Sequence, residues 1–376
     1  MPLGLKRARL ARGWSQNRLR GEIERYVVAH PQIVIASAAS LKVYISEWEN
    51  GRRRVTEPYA SILRALLGWT DEELLEDATS IEADGYDELI RQIDAAHAVS
   101  KSLVTTFTTQ TELLRTQDRM VGASSIVDPM NAHLAAIQEA LTFAVLPDAR
   151  RPLARELAGA ATLAAWQALD VGAADRAWRH YEMGKQAARE ADDVLYLAHA
   201  MGEQSFVLAD AGRPELAVNL VEEALRTGGA RLSARLRAWL LAAEAELRAL
   251  ARDPQGARRA LEDAAQAMPA TSDPRDPDIA SVFLNTEHFD RWTGHTMVLL
   301  GDDEAISSQY AVLEAMDPTF VRARAGLHCD LAEAHLIRGE NAEAARQVRE
   351  AKLLANRTGS VRYRRRISRL GNAVQG

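Results

Sequence analysis

Three consecutive arginines, Arg52–Arg54, follow a short predicted helix near the amino terminus, and this combination suits contact with an anionic polymer. Within the stretch Ser40–Arg54, the apolar residues Ile45 and Trp48 are three positions apart, which places them on one helical face. Asn50-Gly51 is typical of a helix end, because glycine adopts the left-handed conformation that terminates helices. The opposite face is polar, and guanidinium groups bind phosphate. This chemistry favours a helix in the groove of a DNA duplex with arginines on the backbone.

The order of motifs in roughly the first 72 residues carries a family resemblance. Leu5, Arg9, Gly13 and Ser15-Gln16 precede the segment Ile45–Gly51. In this order they resemble the Cro/phage-repressor class of helix-turn-helix proteins, the xenobiotic-response-element family. The 28 residues between Gln16 and Ile45 exceed the family's usual connection. We therefore expect a longer second helix or a loop in place of the tight turn.

The resemblance implies a role in DNA binding for several positions. Ser15 corresponds to the N-cap of helix two. Lys42, Val43 and Glu47 correspond to the family's base-contacting positions, where they would meet guanine, a thymine methyl group and cytosine. Arg9 and Glu49 match a partly buried ion pair between helices one and three. The predicted DNA-contacting residues are Ser15, Gln16, Asn17, Leu41, Lys42, Val43, Tyr44, Ser46, Glu47, Arg52, Arg53 and Arg54.

Each of these assignments has a simpler alternative. Glu47 is equally suited to be an internal partner of Arg52 or Arg53, and arginine runs are commonly solvated charge. We assign to the core four apolar residues of this segment: Leu10, Leu19, Ile45 and Trp48. Further along, Gly68 is expected to end another helix, and Thr70 to begin a short last one. The pattern from Pro58 to Leu75 also resembles an actinobacterial-type subgroup in which this domain precedes tetratricopeptide-like repeats.

Composition separates the amino-terminal segment from the rest of the 376 residues. Residues 1–72 contain twelve Lys/Arg and seven Asp/Glu, whereas the remainder contains 34 and 45. A positive end on a negative body is typical of a protein that presents one end to nucleic acid. The single cysteine, Cys329, excludes an internal disulfide framework. No apolar run approaches the ~20 residues of a membrane span, and the start lacks a signal peptide's apolar segment. We expect a cytoplasmic protein without a membrane partner.

Residues 79–121 carry an imperfect heptad pattern of apolar positions. Its members are Leu89, Ile93, Ala96, Ser100, Leu103, Phe107, Gln110, Leu114, Gln117 and Val121. Two interpretations stay open at this stage: a dimerisation or signal-relay helix between domains, and a helix that packs on its own repeat domain. A turn-rich joint at Gly122–Pro129 and a helix at Asn131–Val145 follow.

The chain from Arg151 onward is helical and repetitive. Turn positions at Gly172, Gly212, Arg252, Gly301 and Gly339 are each followed five residues later by an alanine or isoleucine. The intervals of 40, 40, 49 and 38 residues exceed the ~34 residues of a standard tetratricopeptide unit. We predict five helical hairpins, at about 153–191, 194–228, 231–268, 277–316 and 320–357, and a capping helix at 361–370. The arginines of the capping helix suit a solvated terminal surface.

A solenoid of this kind binds ligands on its concave face, lined by the first helix of each hairpin. The predicted ligand-binding residues are Gln204, Arg237, Trp239, Asn285, His288, Arg291, Trp292 and His328. The segment Asn285–His295 is the densest in polar and aromatic residues, and its hairpin has the longest interval and a proline-rich loop. The alternative is that the aromatic residues pack between repeats and the others are solvated surface.

Enzyme chemistry finds little support in the sequence. His328 and His335 lie two helical turns apart, but a metal site needs three or four converging ligands. There is no phosphate-binding loop, dinucleotide glycine motif or nucleophile elbow. We expect no catalytic activity, no metal and no cofactor.

The sequence therefore predicts an all-α protein with three parts: a helix-turn-helix domain at 1–78, connecting helices at 79–147 that are one candidate for a dimer interface, and a tetratricopeptide-like α-solenoid at 148–376. The predicted function is a transcriptional regulator, a homodimer that binds a DNA operator under the control of a peptide or small-molecule effector. The alternative is a protein-interaction adaptor whose helix-turn-helix does not bind DNA.

Overall fold

The computed structural model describes residues 4–50, 53–68, 86–94, 101–271, 273–279, 281–302 and 305–375, and the chain forms two compact units, residues 1–95 and 96–376. The described part is all-α, as predicted, apart from one isolated antiparallel bridge between Arg275 and Phe283. No helix of that part has the length and apolar character that crossing a membrane requires. Several predicted features lie outside the described residues: Gly51, Arg52, Ala96, Ser100 and the short helix from Thr70.

The first unit contains short helices, with a long connection between its second and third helices. Its helices are α1 (Gly4–Ala11), α2 (Gln16–Ala29), α3 (Ala38–Glu49), α4 (Tyr59–Leu67) and α5 (86–94). The extra chain is divided between a long α2 and a loop at 30–37, so both suggested explanations for the extra length hold. Ser37 begins α3, because its hydroxyl accepts a hydrogen bond from the backbone N–H of Ser40.

Apolar faces of α1 to α4 form the core of this unit. Leu19, Ile45 and Trp48 are buried there, as predicted. Leu10 was wrongly assigned to the core: its side chain is 53% exposed, because Leu5 supplies the buried face of the short helix α1. The predicted ion pair is present, with Arg9 Nη2 donating to Glu49 Oε2 at 3.0 Å and both residues buried. Gly68 ends α4 in the left-handed conformation, as predicted.

The second unit begins with α6 (Lys101–Val121) and α7 (Val127–Phe143), and the repeats follow. The hairpins are α8 (Pro147–Asp170) with α9 (Ala174–Glu190), α10 (Val194–Asp210) with α11 (Pro214–Gly228), α12 (Ala234–Leu250) with α13 (Pro254–Ala267), α14 (Thr286–Leu299) with α15 (Ile306–Ala315), and α16 (Val321–Ile337) with α17 (Asn341–Thr358). The last helix is α18 (Val361–Gln375).

The turn rule inferred from the sequence is confirmed in all five hairpins. Each turn residue has a positive φ, between 61° at Arg252 and 81° at Gly172 and Gly301. The small residue five positions later is buried where the two helices of a hairpin approach each other. Several boundaries differ from the prediction. The joint after α6 is shorter than expected, since α7 already begins at Val127, and the first hairpin begins earlier, at Pro147. The first helix of the fourth hairpin begins later than expected, at Thr286.

Part of the heptad stripe of α6 packs on its own repeat domain. Phe107 and Leu114 are buried in a cluster with residues of α7 and α8. Between them, Thr111 Oγ1 lies 2.8 Å from His133 Nε2 and 2.6 Å from Glu156 Oε1. Gln110 and Gln117 of the predicted heptad pattern are exposed, so the buried positions of α6 differ from the predicted ones. The repeat domain therefore covers this stripe, and dimerisation stays a prediction.

The end of the repeat domain returns to its beginning. Arg322 of α16 pairs with Asp118 of α6, Nη1 to Oδ2, at 2.8 Å and with Asp170 of α8, Nε to Oδ2, at 3.1 Å. Ser360 donates to Asp170 Oδ1 at 2.6 Å, and Arg362 of α18 lies 2.9 Å from Asp210 of α10. These contacts join residues more than 150 positions apart. We call this group of contacts the clasp; it encloses the concave face of the repeats.

Candidate functional site

The outer face of α3 in the first unit presents part of the predicted DNA-contacting set. Leu41, Ile45, Trp48 and Glu49 face the core, and the side chain of Lys42 is exposed. Its neighbour Val43 is 53% exposed. A cationic and an apolar side chain thus stand together on a helix that the core holds from its other side.

Four predicted contact residues are partly or wholly engaged within the domain. Leu41 is fully buried, so its assignment to DNA contact was wrong. It lies one helical turn before Tyr44, on the side of α3 that faces the core. Tyr44 is half-buried against Trp48. Gln16 donates from Nε2 to Glu49 Oε2 at 2.7 Å, and Ser46 Oγ lies 3.4 Å from the amide nitrogen of Asn50.

The amino end of α2 is arranged as the sequence predicted. Ser15 caps the helix, since its hydroxyl accepts a hydrogen bond from the N–H of Arg18 at 3.1 Å. Asn17 in the first turn is exposed. Helix amino termini attract phosphate through their free N–H groups and dipole, so this turn keeps a suitable geometry for a backbone contact.

The predicted basic cluster after α3 is tied to that helix. Arg53 Nη1 lies 3.4 Å from Glu47 Oε2, and its guanidinium carbon lies 3.7 Å from the centre of the Tyr44 ring. The structure therefore adopts the internal pairing that was the alternative for Glu47. Arg53 and Arg54 are exposed, and Arg52 lies outside the described residues.

The second unit contains a cavity of about 450 Å³ inside the ring of repeats. Its walls come from α8, α10, α12, α14 and α16, the first helices of the five hairpins, as expected for a concave face. Helices α6 and α18 and the loop between α13 and α14 complete them. We call this cavity the chamber. Its volume lies within the range of small-molecule sites, about 300–1,000 Å³.

Four of the eight predicted ligand-binding residues line the chamber: Trp239, His288, Arg291 and Trp292. The rings of Trp239 and Trp292 meet edge to face with centroids 5.6 Å apart. Phe206 lies 6.5 Å from Trp292 and 6.5 Å from Trp166 on the neighbouring helix. The walls therefore present a continuous aromatic surface.

The other four predicted residues do not line the chamber, because each is engaged elsewhere. Gln204 accepts a hydrogen bond from Lys185 inside the α9–α10 packing and is fully buried. Arg237 binds the carbonyl of Gly229. Asn285 caps α14, and His328 contacts Gln347 on the outer helix α17. The side chains of the first helix of a hairpin point to both sides of the repeat. Helical spacing alone does not indicate which side faces the chamber.

A charged triad lies in the wall of the chamber. His295 Nδ1 lies 2.6 Å from Asp330 Oδ1, and His295 Nε2 lies 3.5 Å from Glu246 Oε1. Burial alone would lower the pKa of His295, but the two carboxylates raise it to about 9. Burial would likewise raise the pKa of Glu246 and of Asp330, but His295 and nearby donors bring both to about 2. Trp292 adds a hydrogen bond from Nε1 to Glu246 at 2.6 Å.

An aromatic corner formed by Phe283, His288 and Phe320 lies on another wall. The ring of His288 is 4.8 Å from each of the two phenylalanine rings. Burial, together with Arg291 and Arg119, lowers the pKa of His288 to about 3, so this imidazole is neutral. Arg119 reaches across from α6, with its guanidinium carbon 5.2 Å from the Phe320 ring centre.

Sequence reasoning missed the contribution of the two end helices. The arginines of α18 were assigned to a solvated surface, but Arg362 and Arg366 turn inward to pair with Asp210 and Asp330. Arg369 lines the chamber as well, whereas Arg364 and Arg365 are exposed. The available signal was the spacing of 362, 366 and 369 on one helical face, beside buried Ile367 and Leu370.

The loop between α13 and α14 is fixed to the repeats by Arg235. This buried arginine donates to the backbone carbonyls of Arg275, Leu284 and Asp273. The isolated bridge between Arg275 and Phe283 lies in the same loop. The loop thus forms a defined wall that presents four chamber residues: Arg275, Ser281, Phe283 and Leu284.

The residues considered for enzyme chemistry do not come together. His328 contacts Gln347, whereas His335 contacts Tyr310 and Glu340. Cys329 is buried, and burial raises its thiol pKa to about 12, which leaves it a small apolar core residue, as predicted.

Comparison with known proteins adds little to this description. No family model and no curated protein match the chain. Among solved structures, the chain is similar to a Podospora anserina protein described as a kinesin light chain variant with nearly identical TPR-like repeats. The identity is 15%, the match covers 53% of this chain and 94% of that one, and the TM-score is 0.35. Membership of the helix-turn-helix family stays a prediction from the sequence.

Proposed function

We propose that this protein is a sequence-specific DNA-binding transcriptional regulator, active as a homodimer, whose repeat domain binds a signal that controls operator binding. The observation that carries the proposal is the exposed pair Lys42 and Val43 on α3, the second helix of the helix-turn-helix. A lysine donates to guanine and an apolar side chain meets a thymine methyl group, which are contacts that distinguish base pairs in the major groove.

Phosphate contacts would hold this helix in the groove. The exposed amino end of α2, at Ser15 and Asn17, and the exposed arginines Arg53 and Arg54 would supply them. The positive balance of residues 1–72 attracts the duplex, and the negative balance of the remainder disfavours contact elsewhere. A homodimer would place two such helices about one turn of DNA apart, which is the usual reason for palindromic operators.

Control by a signal would act through the repeat domain. The chamber has the volume of a small-molecule site and an aromatic lining. A ligand that binds one arrangement of the dimer more tightly than another shifts the population between the two arrangements. The clasp joins the first and last repeats, so its opening and closing would give the repeat domain two states.

Binding to a random pool of duplexes tests the DNA part of this proposal. We expect enrichment of a common motif, and an affinity for it that falls steeply with salt as phosphate contacts release counterions. The alternative, an interaction adaptor, predicts weak retention of all sequences without enrichment. Failure to enrich a motif both with and without native culture extract would overturn the regulator assignment.

A further inference from the structure

Almost every carboxylate that lines the chamber already has a cationic partner. Glu112 pairs with Arg115, Asp118 with Arg322, Asp210 with Arg362, and Glu246 and Asp330 share His295. The sixth, Glu203, lies 3.4 Å from His199 Nε2 and accepts a hydrogen bond from the Tyr181 hydroxyl. The negative charge of the walls is therefore engaged within the protein.

The positive charge of the walls is only partly engaged. Within the described part of the chain, four lining arginines have no carboxylate within ion-pair distance: Arg119, Arg275, Arg291 and, on α18, Arg369. Arg119 has a long hydrogen bond to Thr116 at 3.4 Å, and Arg291 Nε is buried without a hydrogen-bond partner. We call Arg119, Arg275 and Arg291 the arginine corner.

Three observations indicate that these arginines share one region of the chamber. Burial, then repulsion from Arg275 and Arg115, lowers the pKa of Arg119, and Glu112 and Asp317 oppose this effect. Arg119 and Arg291 both act on His288, which neighbours Phe283 and Phe320. Arg275 and Phe283 form the isolated bridge of the loop. Arg119 and Arg291 are partly buried and Arg275 is exposed at the edge of this region. Partial burial of neighbouring like charges is costly, so this region favours an anion.

We propose that the chamber binds a compact amphipathic anion: a molecule with an aromatic or aliphatic body and one carboxylate, phosphate or sulfonate group. The anionic group contacts the arginine corner, where arginine presents a planar fork that matches such groups. The body lies against the aromatic wall of Phe206, Trp239 and Trp292. The volume of about 450 Å³ admits a small molecule of this kind and excludes a long peptide.

Binding of such a molecule does not depend on the proposed function, but its role as the signal does. Direct binding to the full-length chain therefore tests the ligand class, and motif enrichment in the DNA experiment tests the regulator assignment. A negative result in one of these two experiments leaves the result of the other interpretable.

The test uses two fluorescent probes with one aromatic skeleton. 8-Anilinonaphthalene-1-sulfonate carries a sulfonate, and N-phenyl-1-naphthylamine lacks it. Energy transfer from tryptophan reports binding, and the variants below assign that binding to the chamber. We expect saturable one-to-one binding of the sulfonate probe, at least tenfold tighter than that of the neutral probe, which corresponds to about one charge-assisted hydrogen bond.

Single variants assign the anion to the arginine corner. R119Q, R275Q and R291Q should each weaken the sulfonate probe about tenfold and leave the neutral probe within twofold. R357Q, at an exposed position of α17, is the matched control and should change neither. Melting curves by circular dichroism verify that each variant is folded. Equal affinity for the two probes, no binding of either, or equal loss in R357Q would overturn the proposal.

Discussion

The triad in the wall of the chamber predicts a specific pH dependence of stability. His295 has a pKa of about 9 in the folded protein and 6.5 as a reference value. Because the folded-state pKa is raised, the resulting stability is fully present below pH 6.5 and is lost as the pH rises through 9. At about 1.4 kcal/mol per pH unit, the contribution is about 3 kcal/mol. Glu246 and Asp330 stay ionised above pH 6 in both states, since their folded pKa values are about 2.

The substitution H295Q isolates this effect. The variant should be about 3 kcal/mol less stable than the natural protein at pH 6, and this pH-dependent difference should fall below about 0.5 kcal/mol at pH 9.5. Urea unfolding followed by circular dichroism at pH 6, 7.5 and 9.5 measures it. H180Q is the control, because burial and Arg176 lower the pKa of His180. The difference in unfolding free energy between H180Q and the natural protein should therefore not change above pH 6.5. A constant difference between H295Q and the natural protein across this range would refute the reasoning.

Four further results are expected. Replacing Arg52–Arg54 by alanine should weaken binding to every duplex and reduce the salt dependence in gel-shift titrations; an unchanged slope would contradict phosphate contact. K42A should change the enriched motif in selection from a random pool, whereas equal losses on all sites would indicate a backbone contact. G122A should lower the free energy of unfolding in urea by several kcal/mol, since its new Cβ would lie 2.0 Å from the Thr358 carbonyl oxygen. G339A has open space around a similar positive φ, so it should lower the free energy of unfolding by only about 1–2 kcal/mol, from backbone strain. R235A should release the loop between α13 and α14 to limited proteolysis, and resistance equal to that of the natural protein would show that Arg235 does not hold it.

The repeat domain could be predicted well because its determinants are local. A turn residue with positive φ and a small residue five positions later act within one hairpin, so Gly172 with Ala177 is informative without any distant contact. Helix caps such as Ser15 are local in the same way. The candidate site was predicted only in part, since Arg119 and Arg362 reach the chamber through contacts between the first and last helices of the repeat domain.

The errors in the first unit have a related cause. Leu10 and Leu41 are the same residue type, yet the side chain of Leu10 is 53% exposed and that of Leu41 is fully buried. The orientation of a short helix depends on which of its faces the neighbouring helices cover, and a spacing pattern over two or three turns does not determine that choice.

The clasp also limits how this chain can evolve. Open-ended repeat proteins gain and lose repeats readily, since each unit contacts only its neighbours. Here Arg322 must meet Asp118 and Asp170, and Arg362 must meet Asp210, after a fixed number of intervening hairpins. An inserted or deleted hairpin would move these partners apart by a full repeat, so the ring fixes the repeat number at five. Variation in ligand preference would then arise by substitution of wall residues rather than by changes in length.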